Sequence, residues 1–210
     1  AKQYKVDKLK QSEKFNPEQR TTRLLTTIQK DLHLPALPMQ IECFDNSNIQ
    51  GTNPVAACVV FKKGKPSKKD YRHFHIKTVV GSDDFASMRE IVTRRYTRLL
   101  EENSPLPQLI IIDGGKGQLN AATEILRKLN LLDKITIVGL AKRLEEIYYP
   151  GDPFPLVLDK TSETLKMIQY LRDEAHRFGI TFHRHMRSKS QIVSELDGIK
   201  GIGEKTKEAL

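Results

Sequence analysis

Asp113 closes an unbroken apolar run, Leu109-Ile110-Ile111-Ile112, and opens into Gly114-Gly115-Lys116-Gly117. So short a run, bounded by Pro107 and the glycines, predicts a strand buried on both faces. A carboxylate at its carboxyl end, entering a glycine-rich turn and a new helix, stands where open α/β sheets hold ligands. Taking that acid out of water is costly unless something positive pairs with it. Asp45 ends a second apolar run and shares a face with Cys43 by the period of two. If the two strands are neighbours, the carboxylates meet and repel unless a cation lies between them or one is protonated. Carboxylate oxygens suit the hard ions Mg²⁺ or Mn²⁺. Alone, Asp45 reads as a turn-forming acid before Asn46-Ser47-Asn48, and Asp113 equally as a helix cap. Their joint placement is what favours a metal.

A third ligand is expected from a helix crossing the sheet. Leu165, Ile168, Leu171, Ala175 and Phe178 form a buried stripe on a helix from about Ser162 to Gly179, with His176 at its edge. A lone histidine there is more often a packing residue than a ligand, and Asp173 or Glu174 offers an oxygen instead. Lys116 is close enough to Asp113 to face the same phosphate. It reads equally as a solvent-exposed residue in the first turn of a helix.

The elements that must position these groups follow from the pattern. Residues 1–38 are polar and basic, with one helix around Pro17 to Leu32, and read as a linker or packing arm. Met39–Phe44, Pro54–Phe61 and Tyr71–Val80 predict three strands in an antiparallel meander. Asp83 or Asp84 caps a helix with a core stripe of Met88, Val92, Tyr96 and Leu99. The Leu109–Asp113 strand, a helix from Lys116 to Asn130, a strand from Ile135 to Leu140 and a hairpin within Glu145–Leu158 follow. The order predicts a mixed sheet flanked by helices.

Formal charge is +9 at pH 7. Basic residues cluster at Lys62 to Lys69, at Arg94, Arg95 and Arg98, and at Arg184 and Arg187 with Lys189. Any one cluster reads as a solvated face, but three together favour a polyanion, nucleic acid before membrane. No apolar stretch approaches the ~20 residues of a membrane span, and no secretory signal opens the chain. Cys43 and Cys58 read as buried reduced thiols, which points to a cytoplasmic home. Gly198-Ile199-Lys200-Gly201-Ile202-Gly203 can offer backbone N–H groups to a phosphate. The chain stops seven residues later, so the sequence reads as cut inside a second domain.

Four stretches, Ile41-Glu42-Cys43-Phe44-Asp45, Asp83-Asp84-Phe85-Ala86-Ser87-Met88, Ile112-Asp113-Gly114-Gly115-Lys116-Gly117-Gln118-Leu119 and Arg172-Asp173-Glu174-Ala175-His176-Arg177-Phe178, closely resemble the carboxy-terminal endonuclease half of the UvrC family. The resemblance runs from about residue 39 to the end. It implies an RNase H-like α/β fold over 39–190, a mixed sheet with a five-stranded core flanked by helices, and over 191–210 the truncated start of a helix-hairpin-helix DNA-binding domain. It implies a metal site of Asp45, Asp113 and His176 holding Mg²⁺ or Mn²⁺, with Asp84 a further sensitive acid that as a helix cap has a structural role as its alternative. It also implies the 5′-side incision near a lesion in nucleotide excision repair, on damaged, bubble or junction DNA already opened by UvrB. A monomer is expected of this fragment. Lys116, Arg94, Arg95, Arg98, Arg184, Arg187 and Lys200 are the expected phosphate contacts, which position DNA without reading its sequence.

Two rivals stand beside this reading. A nucleotide-binding α/β module fits poorly. A phosphate loop ending at Gly115-Lys116 needs glycine at Ile110 and Ser or Thr at Gly117, and the dinucleotide fingerprint needs a small residue at Asn120. A non-catalytic DNA-binding scaffold explains the charge but not two strand-end acids facing an anionic ligand.

Overall fold

A computed structural model describes residues 16–46, 55–79, 83–140 and 146–197, and for 182–197 the backbone only. The central strand is β1 (Gln40–Asp45), every residue of which is buried. Antiparallel to it runs β2 (Val55–Lys62), and parallel on its other side runs β5 (Leu109–Asp113). The hydrophobic run of β5 has the composition of a strand covered on both faces. Beyond β2 lie two short strands, β3 (Lys65–Pro66) and β4 (Arg72–His75), and beyond β5 lies β6 (Thr136–Leu140), again parallel. The five-stranded core order β4-β2-β1-β5-β6 is RNase H-like, and an antiparallel hairpin, β7 (Glu146–Tyr148) and β8 (Leu156–Val157), extends it past β6.

Among the described residues four α-helices complete the layers. Asn16 caps α1 (Pro17–Asp31), accepting from the Glu18 and Gln19 N–H groups, with proline in the first turn. Leu25, Ile28 and Leu32 join the core, and Thr164 Oγ1 donates to Asp31 at 2.5 Å. The α1 helix is thereby built into the domain against α4 (Glu163–Asp197). Asp83 caps α2 (Asp84–Glu101), and α2 packs on α3 (Lys116–Lys128). On the other face α4 lies along β2 and β1.

Two elements depart from expectation. The third strand ends at His75, not Val80. Glu90 captures the N–H groups of Lys77 and Thr78, and Arg94 takes the His75 carbonyl at 2.7 Å, so the ladder loses its next partners. The closing helix passes through Gly179 and continues to Asp197, across the expected boundary after residue 190. Gly179 is buried there, and one glycine costs a helix only about 1 kcal/mol. Cys43 and Cys58 are free and buried. Among the described residues no helix is long and apolar enough to cross a membrane.

Candidate active site at the carboxyl ends of β1 and β5

Asp45 and Asp113 are direct partners in the parallel pairing of β1 with β5, so their side chains leave the sheet on the same face. His176, projecting from α4, places Nδ1 3.1 Å from Asp45 Oδ2. With Asp45 ionised, Nδ1 donates to it, and in the neutral imidazole the Nε2 lone pair is then the one not used by Asp45. Asp45 is almost fully buried while the His176 side chain is 57% exposed, so the acid forms the floor and the imidazole the rim.

The electrostatics are those of an under-compensated pair. Burial pushes the Asp113 carboxyl up to about 6, and the Asp45 charge adds to the rise, with Arg172 and His176 opposing it. Burial also raises Asp45, against its hydrogen bond to His176. Among the described residues no donor is bonded to the Asp113 carboxylate. Arg172, one helical turn before His176, supplies the nearest compensating charge, though its guanidinium is bonded to Asp173.

Asn46, next after Asp45, turns to the other face of the sheet. Its Nδ2 donates to the Asp84 carbonyl at 3.1 Å, tying the end of β1 to the start of α2. Among the described residues two buried side-chain oxygens lack a hydrogen-bond partner, Asn46 Oδ1 and Gln118 Oε1. Gln118 lies where a Cβ on Gly114 would stand, and Gly114 follows Asp113. Orphaned acceptors of this kind are rare in folded proteins.

Among the described residues no three His, Cys, Asp or Glu side chains close around a single point as a finished metal cage. The donor chemistry nevertheless fits a hard divalent cation. Two carboxylates stand side by side, and an imidazole is held by one of them through the nitrogen that does not face outward.

The remaining expected residues divide. Asp84 is not the cap, which is Asp83; it is the first residue of α2. Of the alternative ligands, Glu174 is buried and holds Tyr71 and Arg177, and Asp173 is exposed and paired with Arg172. Lys116 bonds the Pro153 carbonyl at 3.0 Å and lies over the Tyr148 ring, so it braces the β7–β8 hairpin. Arg94 is pinned by Glu90 and the His75 carbonyl, and Arg98 is exposed and paired with Glu102. Arg95 overturns its expectation as a phosphate contact. It is 8% exposed and gripped by Glu42, with Nη2–Oε1 at 2.6 Å and Nε–Oε2 at 3.2 Å. Its charge neutralises a wholly buried acid and is not offered to a surface ligand. Lys62 and Lys65 flank the opposite end of the sheet, since Lys62 pairs with Gln40, roughly 17 Å along the strand from Asp45. Arg184 and Arg187 lie on α4 where only the backbone is described, and Lys200 lies outside the described residues.

Sequence reasoning missed Arg172, Asn46 and the role of Glu42. The fourfold spacing of Arg172 from His176 was the available sign for the first. An acid inside the apolar Ile41–Phe44 run was the sign for the third, and Arg95 falls on the Met88–Val92–Leu99 stripe that had to meet it. For Asn46 no sequence signal existed.

Comparison with known proteins comes from two directions. The family model described as the UvrC RNAse H endonuclease domain matches residues 29–180. The UvrABC system protein C of Porphyromonas gingivalis is 73% identical over 208 residues, covering 99% of this chain and 35% of its own length. That of Flavobacterium johnsoniae is 66% identical over 206 residues, covering 98% and 34%. This chain therefore spans about a third of the length of these curated relatives. Among solved structures, a Bacillus subtilis endonuclease V aligns with a TM-score of 0.40 and 11% identity, over 76% of this chain and 91% of that one.

Proposed function

Because the chain belongs to the UvrC family, and carries its RNase H endonuclease domain, we propose that it hydrolyses phosphodiester bonds of DNA with Mg²⁺ or Mn²⁺, making the 5′-side incision near a lesion in a UvrB–DNA pre-incision complex. The observation that carries the reading is the register pairing of Asp45 with Asp113 and the bond from His176 to Asp45. Asp45, Asp113 and His176 are the residues to hold the cation. A bound divalent ion supplies an activated water and charge stabilisation for the leaving 3′-oxygen. The chain's own part is to hold two carboxylates on neighbouring strands, too close to ionise independently, and so to favour positive charge at that point. Asp45 fixes the His176 ring with Nδ1 inward and Nε2 outward. Lys116, Arg94, Arg98, Arg184, Arg187 and Lys200 serve as contacts to the DNA backbone, and residues 191–210 begin a helix-hairpin-helix unit. Asp84 contributes through its place at the start of α2, bound to Asn46.

Nicking of a bubble-containing duplex tests this. Wild type cleaves only with Mg²⁺ or Mn²⁺ added, and Asp45→Ala binds the same duplex, keeps its circular dichroism and does not cleave. Cleavage retained by Asp45→Ala, or undiminished in EDTA, overturns the reading.

A further inference from the structure

We propose that Phe85 is a stacking platform for an unpaired nucleobase beside the catalytic end of the sheet. The inference rests on DNA being the ligand of this site. Phe85 is 50% exposed, although it occupies the first turn of a helix whose next turn is in the core. Isolated exposed apolar residues are ordinary. Phe85 is different because its ring is seated: Cε1 and Cζ lie where a Cβ on Gly117 would stand, so any other residue at 117 would drive the ring away. Gly117 is in the first turn of α3, four residues after Asp113. Asp84, the residue before Phe85, is bonded through its carbonyl to Asn46, the residue after Asp45. The ring thus rests on the segment that follows Asp113, while the backbone just before it is tied to the segment that follows Asp45. Seated on one side by Gly117, the residue is still half exposed to solvent.

The chemistry of that surface selects its ligand. A flat aromatic face with no polar atom offers stacking and no hydrogen bond, which every base can accept and which therefore reads no sequence. In paired DNA the faces of the bases are covered by their neighbours. Only an unstacked or flipped base, as in a bubble or at a junction, has a face to offer. Phe85 would accordingly discriminate by strand opening, while the acids act on the adjoining backbone.

Binding in EDTA separates this idea from cleavage. The probes are a duplex with a short central bubble containing 2-aminopurine, and a fully paired duplex of the same length. Wild type prefers the bubble and quenches the fluorophore. Phe85→Ala and Phe85→Leu lose the quenching and weaken bubble binding about five- to hundredfold, with paired-duplex binding unchanged. Phe85→Tyr restores both, since the ring and not apolarity is required. Gly117→Ala reproduces the loss with Phe85 intact, which guards against an effect of the substitution on folding. Absence of a bubble preference in wild type overturns the proposal. So does full quenching by Phe85→Ala, or an equal loss on both duplexes. Asp45→Ala retains the quenching, so failure of the nuclease reading shows in nicking and failure of this one in fluorescence.

Discussion

Strand β1 carries two buried acids three residues apart, and the fold treats them in opposite ways. Glu42 is completely buried and finished: Arg95 grips both oxygens, Tyr96 donates at 3.0 Å and Gln40 at 3.1 Å. Asp45, on the other face, meets Asp113 in register, with the His176 imidazole and, among the described residues, an Arg172 guanidinium that is bonded to Asp173 rather than to either acid. Burial alone therefore does not mark a functional acid. What separates the two centres is whether the protein itself supplies the matching cation. Among the described residues Glu42 has its matching cation and is part of the scaffold, whereas no ammonium or guanidinium is bonded to the Asp45–Asp113 pair, and on that deficit the proposed cation site rests.

The largest effect expected from breaking this comparison is on the finished centre. Arg95→Met leaves Glu42 buried without its cation and should cost about 3–5 kcal/mol. In thermal denaturation that is a fall of roughly 6–20 °C for a chain this size. Replacing both partners, Glu42→Leu with Arg95→Met, should recover most of that loss, since a packed apolar pair is often as stable as a buried ion pair. A double variant no more stable than Arg95→Met would mean that the network carries more than charge matching.

The open centre should respond with the opposite sign. Asp113 has a folded pKa, about 6, above its ordinary value, so the folded state holds its proton more tightly than the unfolded chain does. Stability is then greatest while Asp113 is protonated and falls as pH rises from about 4 through about 6. Asp113→Asn, which cannot ionise, should match wild type near pH 4 and exceed it by about 1 kcal/mol at pH 7.5, after discounting for partial exposure. Equal denaturation midpoints at both pH values would show that the pair is already compensated.

A smaller effect sharpens the same contrast. Asn46→Leu removes an orphaned buried oxygen but also the bond to Asp84, so its stability should stay within about 1 kcal/mol of wild type in the absence of metal. A loss as large as that of Arg95→Met would place Asn46 with the finished network.

Much of this contrast was legible in the residues. The apolar run Leu109–Ile112 could hardly be anything but a covered strand, and the spacing of Leu165, Ile168, Leu171 and Ala175 set His176 on the rim of a buried face. Register was not legible: that Asp45 faces Asp113 depends on β1 lying between β2 and β5, a long-range choice. Helix and strand ends were harder for a local reason. His75 ends its strand because Glu90 and Arg94, well over ten residues on, take the backbone groups that a ladder would use. Arg95 was misread because a run of arginines looks like a charged surface. Only its partner, Glu42, shows that one of them faces inward.

The claim that the Asp45–Asp113 centre awaits an external cation is tested most directly by thermal denaturation during Mn²⁺ titration at pH 7.5. Wild type should gain stability saturably with added Mn²⁺, and Asp45→Asn and Asp113→Asn should show no such gain, while Tyr96→Phe, at the finished centre, keeps the full response. An identical rise in wild type and in both aspartate variants would contradict the account.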